Sequence, residues 1–312
     1  MFNDFHQKCI EQCPCCHTVE RKAIGEKNGF YIFLCNNCQT LYTQSVEDLN
    51  VAENYDDYYH QGNLTVPDFV NVRLNEIAKS FESYRQNNRL LDVGCGAGLL
   101  LEASLKNKWQ AEGLEVSSSS VDSLRKRGIK VFHGILSEAQ FPADHFDVVT
   151  AVEMLEHIPN PAEVIVEIHR ILRPGGLFWA TTPHGRGASA RLLGQKWSCV
   201  TPPEHLHLFS VKGLQKIIKE ADFREVKIST YGVNPFEIFH RWREEDSSPP
   251  IVNAEGEIRN ESEAKQFDRV GTGYELNAAL SGSPMRIMTK NFLNSILNAT
   301  RLGDSLKVWA VK

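Results

Sequence analysis

The chain contains 312 residues, of which 42% are hydrophobic and 23% are charged, an ordinary composition for a globular protein of about two domains. Its 34 lysines and arginines stand against 39 acidic residues, and the resulting charge of −5 disfavours non-specific nucleic-acid binding. No apolar run approaches the length of about 18 residues that a membrane span needs, and residues 1–13 lack the pattern of a secretory signal. We therefore expect a cytoplasmic protein.

The first region of interest is rich in cysteine. Cys13 and Cys16 form one CxxC pair and Cys35 and Cys38 form a second, with 18 residues between the pairs. Four thiolates at this spacing can close a tetrahedral zinc site, and the metal stabilises a module too small for a core of its own. The spacing predicts a zinc-ribbon-like module over residues 1–48 that holds a structural Zn²⁺. The alternative is a set of reduced cysteines without metal.

Two further cysteines in this region, Cys9 and Cys15, are spare and could replace one of the four ligands. A catalytic role for the metal is disfavoured, because four thiolates leave no open coordination position. Residues 1–48 carry four basic and six acidic residues, so this module does not resemble an RNA-gripping finger.

From about residue 89, strand-like and helical segments alternate, which indicates a parallel α/β sheet. The predicted strands cover residues 89–93, 110–115, 129–132, 147–152, 177–181, 225–230 and 305–311. The predicted helices cover residues 98–107, 118–127, 161–172 and 211–221.

The first of these strands runs into a turn that has glycine at positions 94, 96 and 98. Glycines allow a ligand to approach the backbone closely, and the following helix offers its positive N-terminus. The spacing is GxGxG and not the GxGxxG of dinucleotide folds. The next strand ends at Glu115, where a carboxylate can accept both ribose hydroxyls. Together they predict a nucleoside site; a tight turn and a solvated carboxylate are the alternatives.

Four segments together resemble the class I S-adenosylmethionine-dependent methyltransferases: LLDVGCGAG, GLEVS, FDVVTAVEMLEHIPNP and LRPGGLFWATTP. The resemblance covers residues 70–232, and within that superfamily the motifs are similar to those of ubiquinone-biosynthesis O-methyltransferases. It implies an α/β fold with a Rossmann-like sheet of seven strands, the last antiparallel. We expect the methyltransferase core at 49–232, a helical insertion or lid at 233–304, and the last strand of the sheet at 305–312.

The resemblance also implies a set of residues that bind S-adenosyl-L-methionine: Arg73, Asp92, Gly94, Gly96, Glu115 and Val152. The two glycines would approach the methionine part of the cofactor and Asp92 would orient their turn. Glu115 would bind ribose, Val152 would contact the cofactor through its backbone, and Arg73 would reach the cofactor carboxylate. The chain departs from the family at Ile135, where an acid for the adenine amino group is expected.

A candidate catalytic group follows the fourth predicted strand, in the segment EMLEHIPNP. Glu153, Glu156 and His157 would share one face of this segment if it is helical. In the ubiquinone O-methyltransferases the same pattern binds a divalent cation, which would here lower the pKa of the acceptor oxygen. The alternative is a segment that packs against the cofactor or a loop without metal.

A second candidate is the segment PPEHLHLFS, which follows the fifth predicted strand. His205 is the candidate general base, because imidazole titrates near neutral pH. Alternation in an extended segment would send His207 to the same side. Sugar methyltransferases that carry a zinc module have a similar Glu-His-aromatic segment. The alternative is a lid loop whose histidines only hydrogen-bond to the backbone.

These features predict an enzyme that methylates a small-molecule acceptor in biosynthesis, with a hydroxyl as the acceptor group. The first alternative is methylation of a sugar or polysaccharide precursor, and the second is methylation of RNA, which the absence of a Lys/Arg-rich stretch disfavours. A non-catalytic, zinc-bearing interaction protein is a third, and the intact glycine turn weighs against it. Apolar positions in the 233–304 insertion suggest either a helical lid or a homodimer contact.

Overall fold

The structure, a computed structural model, describes residues 12–43, 66–244 and 283–312, together with Thr272 and Leu276. Cys9 and most of the helical pattern at 261–280 lie outside these residues. None of the helices in the described residues combines the length and the apolar character that a membrane span demands.

The described strands are β1 (Arg21–Lys27), β2 (Phe30–Cys35), β3 (Leu41–Thr43), β4 (Arg89–Val93), β5 (Gln110–Glu115), β6 (Val131–His133), β7 (Phe146–Val152), β8 (Leu172–Pro183), β9 (His207–Leu208), β10 (Glu225–Tyr231) and β11 (Ser305–Val311). The described helices are α1 (Asp68–Ser80), α2 (Leu99–Lys106), α3 (Ser118–Lys126), α4 (Pro161–Ile171), α5 (Ala188–Leu193), α6 (Val211–Glu220), α7 (Pro235–Glu244) and α8 (Pro284–Thr300).

Seven strands form the central sheet in the order β10-β11-β8-β7-β4-β5-β6. Strands β4 to β8 are parallel, whereas β11 is antiparallel to both β8 and β10. The chain order reverses between β4 and β7, and ligands of open α/β sheets bind outside the carboxyl ends of strands at such a point. The carboxyl edge at β4, β5 and β7 is therefore where a site is expected.

Two apolar layers cover the sheet. On one face Phe81, Trp179 and Trp309 pack ring against ring, with centroids 5.7 to 6.4 Å apart. On the other face the buried side of β11 packs with α4 and α6. The alternation of buried and partly exposed residues along β11 matches this two-sided environment. The predicted fold class, a Rossmann-like seven-stranded sheet, is confirmed.

The predicted strand at 177–181 differs most in length from the structure. Strand β8 begins at Leu172 and not at residue 177, because Leu172 pairs with Phe146 and residues 173–176 bulge opposite Asp147. The guanidinium of Arg173 holds this bulge by donating from Nε to Oδ1 of Asp147 over 2.6 Å. Proline and glycine in this segment predict a turn, which the neighbouring strand overrides.

The N-terminal module is a second, smaller sheet. Strands β1, β2 and β3 are antiparallel, and β3 pairs with β9 through Leu41↔Leu208 and Tyr42↔His207. Its fourth strand therefore comes from the segment that carries His205. This sheet runs across the boundary predicted between residues 1–48 and 49–232. Helices α7 and α8 lie between β10 and β11, where a helical insertion is expected.

Candidate active site

The glycine turn lies at the carboxyl end of β4. Gly94, Gly96 and Gly98 have φ of +69°, +50° and +78°, a region that side chains other than glycine rarely adopt. The amide of Gly94 donates to the carbonyl of Leu114 over 2.8 Å, which ties the turn to β5. A Cβ on Gly94 would lie 2.5 Å from Cγ of Met154. The turn therefore presents backbone atoms without side chains, which suits close approach by a ligand.

Glu115 faces this turn from the end of β5 and is 3% exposed. Its Oε2 accepts from the amide of Gly96 over 2.8 Å, and its Oε1 accepts from the amides of Val116 and Ser117, each over 2.9 Å. A carboxylate offers about four acceptor positions, so capacity for a ligand hydroxyl remains. The backbone amides orient the carboxylate toward the glycine turn, and its contact with ribose stays a prediction.

Asp92 is buried beneath the turn and connects two central strands. Its Oδ1 accepts from Oγ1 of Thr150 on β7 over 2.6 Å. Burial, with a smaller contribution from the negative charge of Glu115, raises the pKa of Asp92 to about 7, although the Thr150 hydrogen bond opposes the change. The side chain holds β4 against β7 at the point where the chain order reverses.

The chain turns sharply where β7 ends. Val152 is the last residue of the strand, and Glu153 follows with φ of +49°. The amide of Glu153 donates to the carbonyl of Thr181 over 2.9 Å, while its side chain is exposed. This turn brings Met154 over Gly94 and directs residues 155–157 toward β8.

Arg73 lies next to Tyr231, on the β10–β11 side of the sheet and not at the glycine turn. Its guanidinium is 5.6 Å from the ring centroid of Tyr231, and Nζ of Lys307 is 4.9 Å from the same centroid. Tyr231 and Lys307 belong to β10 and β11, which β7 and β8 separate from β4. The structure does not pair Arg73 with the glycine turn, and its contact with the cofactor carboxylate stays a prediction.

Two segments that are distant in the sequence meet beside Met154. The side chains of Glu156, His157 and His205 place their ligand atoms within 4.8 Å of one another, and we call this group the histidine–carboxylate cluster. The imidazole centroids of His157 and His205 are 4.7 Å apart. The cation triad predicted from the ExxEH pattern contains Glu153, whereas the structure groups His205 with the other two residues. A short 3₁₀ turn over Leu155–His157 replaces the helix that the pattern assumes.

Both imidazoles of the cluster donate a hydrogen bond from Nδ1 to a backbone carbonyl. Nδ1 of His157 is 2.8 Å from the carbonyl of Glu204, and Nδ1 of His205 is 2.7 Å from the carbonyl of Cys199. Because a carbonyl only accepts, each Nδ1 carries a hydrogen, and in a neutral His205 ring the lone pair is therefore on Nε2. Burial also lowers the pKa of His157, which favours its neutral form. The arrangement suits a proton acceptor or a metal ligand.

Glu156 completes the cluster and is fully buried. Its Oε2 accepts from Oγ1 of Thr182 over 2.9 Å, and its Oε1 lies 3.9 Å from Nε2 of His157. The sequence motifs do not identify the contact from Thr182, which lies on another strand, or the carbonyl of Cys199, whose position depends on the conformation of the loop before His205.

His207 and His184 are buried and point to backbone carbonyls. Nε2 of His207 donates to the carbonyls of Ile158 and Pro159 over 3.0 and 3.2 Å, and Nδ1 of His184 donates to Gly303 over 2.8 Å. Burial lowers the pKa of each imidazole to about 4. These two histidines hold loops in place and, unlike His205, do not belong to the histidine–carboxylate cluster.

The four predicted zinc ligands come together in the N-terminal module. Sγ of Cys13 is 3.5 Å from Sγ of Cys38, and Sγ of Cys16 is 3.4 Å from Sγ of Cys35. All four sulfurs lie within 4.8 Å of one another. A zinc tetrahedron with bonds of about 2.3 Å has edges of about 3.8 Å, so the group fits Zn²⁺. The spare Cys15 lies outside this group and accepts from Oγ1 of Thr40 over 3.6 Å.

Comparisons with known proteins agree with this geometry. A family model described as a methyltransferase domain matches residues 69–228. The ubiquinone biosynthesis O-methyltransferase of Thiobacillus denitrificans is 30% identical over 167 residues, which cover 49% of this chain and 72% of that protein. The enzyme of the same name from Aromatoleum aromaticum is 36% identical over 101 residues, or 30% of this chain and 43% of that protein. The chain thus spans less than half of the second relative.

Among solved structures, a SAM-dependent methyltransferase from Archaeoglobus fulgidus superposes with a TM-score of 0.50 at 17% identity, over 83% of this chain and 99% of that one. This likeness concerns the fold. The family match extends over the glycine turn, Glu115 and the ExxEH segment. The chain belongs to the methyltransferase domain family and is an S-adenosylmethionine-dependent methyltransferase.

Proposed function

We propose that this enzyme methylates a hydroxyl oxygen of a small-molecule acceptor in a biosynthetic reaction. The observation that carries the proposal is the histidine–carboxylate cluster. Nδ1–H of His205 donates to a backbone carbonyl there, so Nε2 is the basic nitrogen of the ring, and the cluster follows closely after Met154, the residue that packs against Gly94. A weakly acidic hydroxyl needs a base at this place, because an oxygen nucleophile must lose its proton to react well.

The proposed cofactor contacts are centred on the glycine turn. When bound, S-adenosylmethionine supplies a methyl group that its sulfonium already activates, so the protein chiefly aligns the acceptor. Gly94 and Gly96 lie along the methionine part, Asp92 orients their turn, and Glu115 binds the ribose hydroxyls. Val152 contributes backbone contacts at the end of β7. Arg73 is assigned to the cofactor carboxylate from the family resemblance alone.

His205 acts as the general base. Its Nδ1–H donates to the carbonyl of Cys199 over 2.7 Å, which fixes the ring so that Nε2 receives the hydroxyl proton. His157 lies beside it, with Nδ1 donating to the carbonyl of Glu204, and the Glu156 carboxylate stabilises positive charge on the rings. Glu153 lies exposed directly after β7, and its catalytic role stays a prediction from the ExxEH pattern.

The same cluster fits a divalent cation. Two imidazole nitrogens and one carboxylate oxygen within 4.8 Å suit a transition-type ion such as Zn²⁺ better than Mg²⁺, which prefers oxygen ligands. When bound, such an ion lowers the pKa of a coordinated hydroxyl. His205 and His157 would then serve as ligands. Metal analysis separates the two schemes: one metal per chain indicates the Cys₄ site alone, and a second that His205→Ala removes indicates the cluster.

Acceptor screening tests the proposal. Purified enzyme is incubated with methyl-labelled S-adenosylmethionine and three acceptor sets: phenols and catechols, nucleotide sugars, and total RNA. Label recovered as a methyl ether on a small molecule supports the proposal. Label found only on carbon of a nucleotide sugar favours the sugar-precursor alternative, and label found only on RNA contradicts a small-molecule acceptor. His205→Ala serves as the matched control for enzyme-dependent transfer.

A further inference from the structure

The N-terminal module and the segment that carries His205 share a sheet. Strand β3 pairs with β9, and immediately beyond this pairing Thr43 bonds to Leu206. The amide of Thr43 donates to the carbonyl of Leu206 over 3.0 Å, and its Oγ1 donates to the same carbonyl over 3.4 Å. The residue next to His205 is therefore hydrogen-bonded to the module through backbone atoms.

The same residue is held on its other side by the cluster. The amide of Leu206 donates to the carbonyl of Glu156 over 2.8 Å. Leu206 thus bridges Thr43 of the module and Glu156 of the cluster, with both bonds made by its own peptide groups. The module and the segment of Glu156 are therefore connected through one residue, the neighbour of His205.

A second set of contacts joins the tip of the module to the loop before His205. Nδ2 of Asn28 donates to the carbonyl of Pro202 over 2.8 Å. Nζ of Lys27 donates to the carbonyl of Gln195 over 3.0 Å, and Nε2 of Gln195 donates to the carbonyl of Ile24 over 2.7 Å. Residues 199–206 contain no helix or strand of their own, so these bonds supply the order that secondary structure would otherwise provide.

The metal-binding end of the module docks after His205. Oγ of Ser210 donates to the carbonyl of Cys38, and the amide of Ser210 donates to Oγ1 of Thr40 over 3.4 Å. A Cβ on Gly213 would overlap Oγ1 of Thr40 and would lie 3.3 Å from Sγ of Cys15. The module therefore contacts this segment before, beside and after His205.

We propose that the N-terminal module positions the imidazole of His205, with Asn28 and Thr43 as the positioning residues. The module has a role in the active site that goes beyond holding a structural metal. The importance of this role for catalysis rests on the proposed function of His205, whereas the positioning itself is a statement about the geometry of the ring.

Four variants test the positioning. Asn28→Gly removes the bond to Pro202, and glycine accepts the positive φ of +53° at that position. Thr43→Pro removes the amide that donates to Leu206. Thr43→Val keeps this amide and loses only the longer hydroxyl contact, so it is the matched control. Val19→Ala changes a module residue that is 62% exposed and serves as a second control.

The readout is the tautomer of His205 in the full-length protein, followed by NMR of ¹⁵N-histidine-labelled samples and assigned with His205→Gln. In the wild type we expect one protonated and one unprotonated ring nitrogen. In Asn28→Gly and Thr43→Pro we expect this separation to be lost, while S-adenosylhomocysteine affinity stays within about twofold of wild type as a check of the core. Both controls should keep the wild-type spectrum.

A His205 spectrum that is unchanged in folded Asn28→Gly overturns the proposal, even if Thr43→Pro fails to fold. A spectrum that changes equally in Val19→Ala also overturns it, because the effect would then be unspecific. If the spectrum changes as expected but His205→Ala retains full turnover, the positioning holds and the general-base role falls.

Discussion

The glycine turn and the histidine–carboxylate cluster lie at the same edge of the sheet, but they are assembled in different ways. The turn is held mainly by bonds within one β-α-β unit, such as Gly96 to Glu115 over 19 positions of sequence. In the cluster His157 bonds to Glu204, which is 47 positions away in the sequence. Thr43 bonds to Leu206, the neighbour of His205, over 163 positions. The proposed cofactor side is thus local in sequence, whereas the proposed acceptor side depends on distant segments.

This contrast has a physical consequence for stability. Local contacts form at a small loop-closure cost and persist when distant parts of the chain are disturbed. Contacts that need the N-terminal module are lost when the module is lost. Perturbing the module should therefore separate the two regions, leaving cofactor binding intact while the acceptor side changes.

Removing the metal should have the largest effect on the cluster while leaving the glycine turn unchanged. Binding of structural zinc contributes about 10 kcal/mol or more to the folding of small modules, so chelation should disorder β1–β3. Trp197 is fully buried among Ile32 and Leu41 of the module, and we expect its fluorescence to shift. Circular dichroism should show that the core helices remain, and S-adenosylhomocysteine should still bind.

The matched control uses the neighbouring cysteines. Cys16→Ser should lower the zinc content, whereas Cys15→Ser should keep it, because Cys15 lies outside the group of four. Protein that contains no zinc as purified, with Trp197 fluorescence that a chelator leaves unchanged, would contradict a structural zinc.

Replacing the proposed base tests the acceptor side alone. His205→Ala should lower turnover by about 100-fold or more, the usual contribution of a general base, and leave S-adenosylhomocysteine affinity unchanged. Steady-state kinetics and calorimetry measure the two quantities. His169→Ala on α4, whose ring packs against Phe223, is the control and should retain turnover. Equal losses in both variants would count against a specific role for His205.

Asp92 probes the cofactor side through its pH dependence. Its pKa in the folded protein, about 7, lies above the ordinary value of 3.8. The protonated form therefore stabilises the fold at low pH, and this contribution is lost as the pH rises through 7. From pH 5 to pH 7 the free energy of unfolding of the wild type should fall by about 2 kcal/mol relative to Asp92→Asn. Urea titrations at each pH measure it, and parallel curves would disprove the assignment.

Glu115 gives the smallest expected change. Glu115→Ala should weaken S-adenosylhomocysteine binding at least about tenfold, or about 1.4 kcal/mol, because it removes the ribose acceptor and frees the amide of Gly96. Glu112→Ala is the control on the same strand, where Glu112 pairs with Lys130 at the surface over 2.5 Å. Calorimetric affinity that is unchanged in Glu115→Ala would refute the ribose role.

The sequence predicts the strands around the glycine turn well because their signals are local. The apolar run of β4 ends in glycines that only a turn can accommodate, and β4, β5 and β11 have the predicted bounds. The family match over residues 69–228 supports the same region. Here propensity, spacing and tertiary structure agree.

The acceptor side is less predictable, for identifiable reasons. The ExxEH pattern puts Glu153 with His157 only on a helix, but the positive φ of Glu153 turns its side chain outward and His205 joins the cluster instead. The pairing of β3 with β9 links segments that no periodicity relates. Contacts of this kind arise from packing of the whole chain.

The shared strand β9 limits how the protein can be divided. Cut away from the core, the module would expose the edge of β3, and unpaired edges invite self-association. A module grafted from another enzyme would need a host with a compatible partner strand. Recombination that exchanges whole modules should therefore fail here, and the two parts should be inherited as one unit.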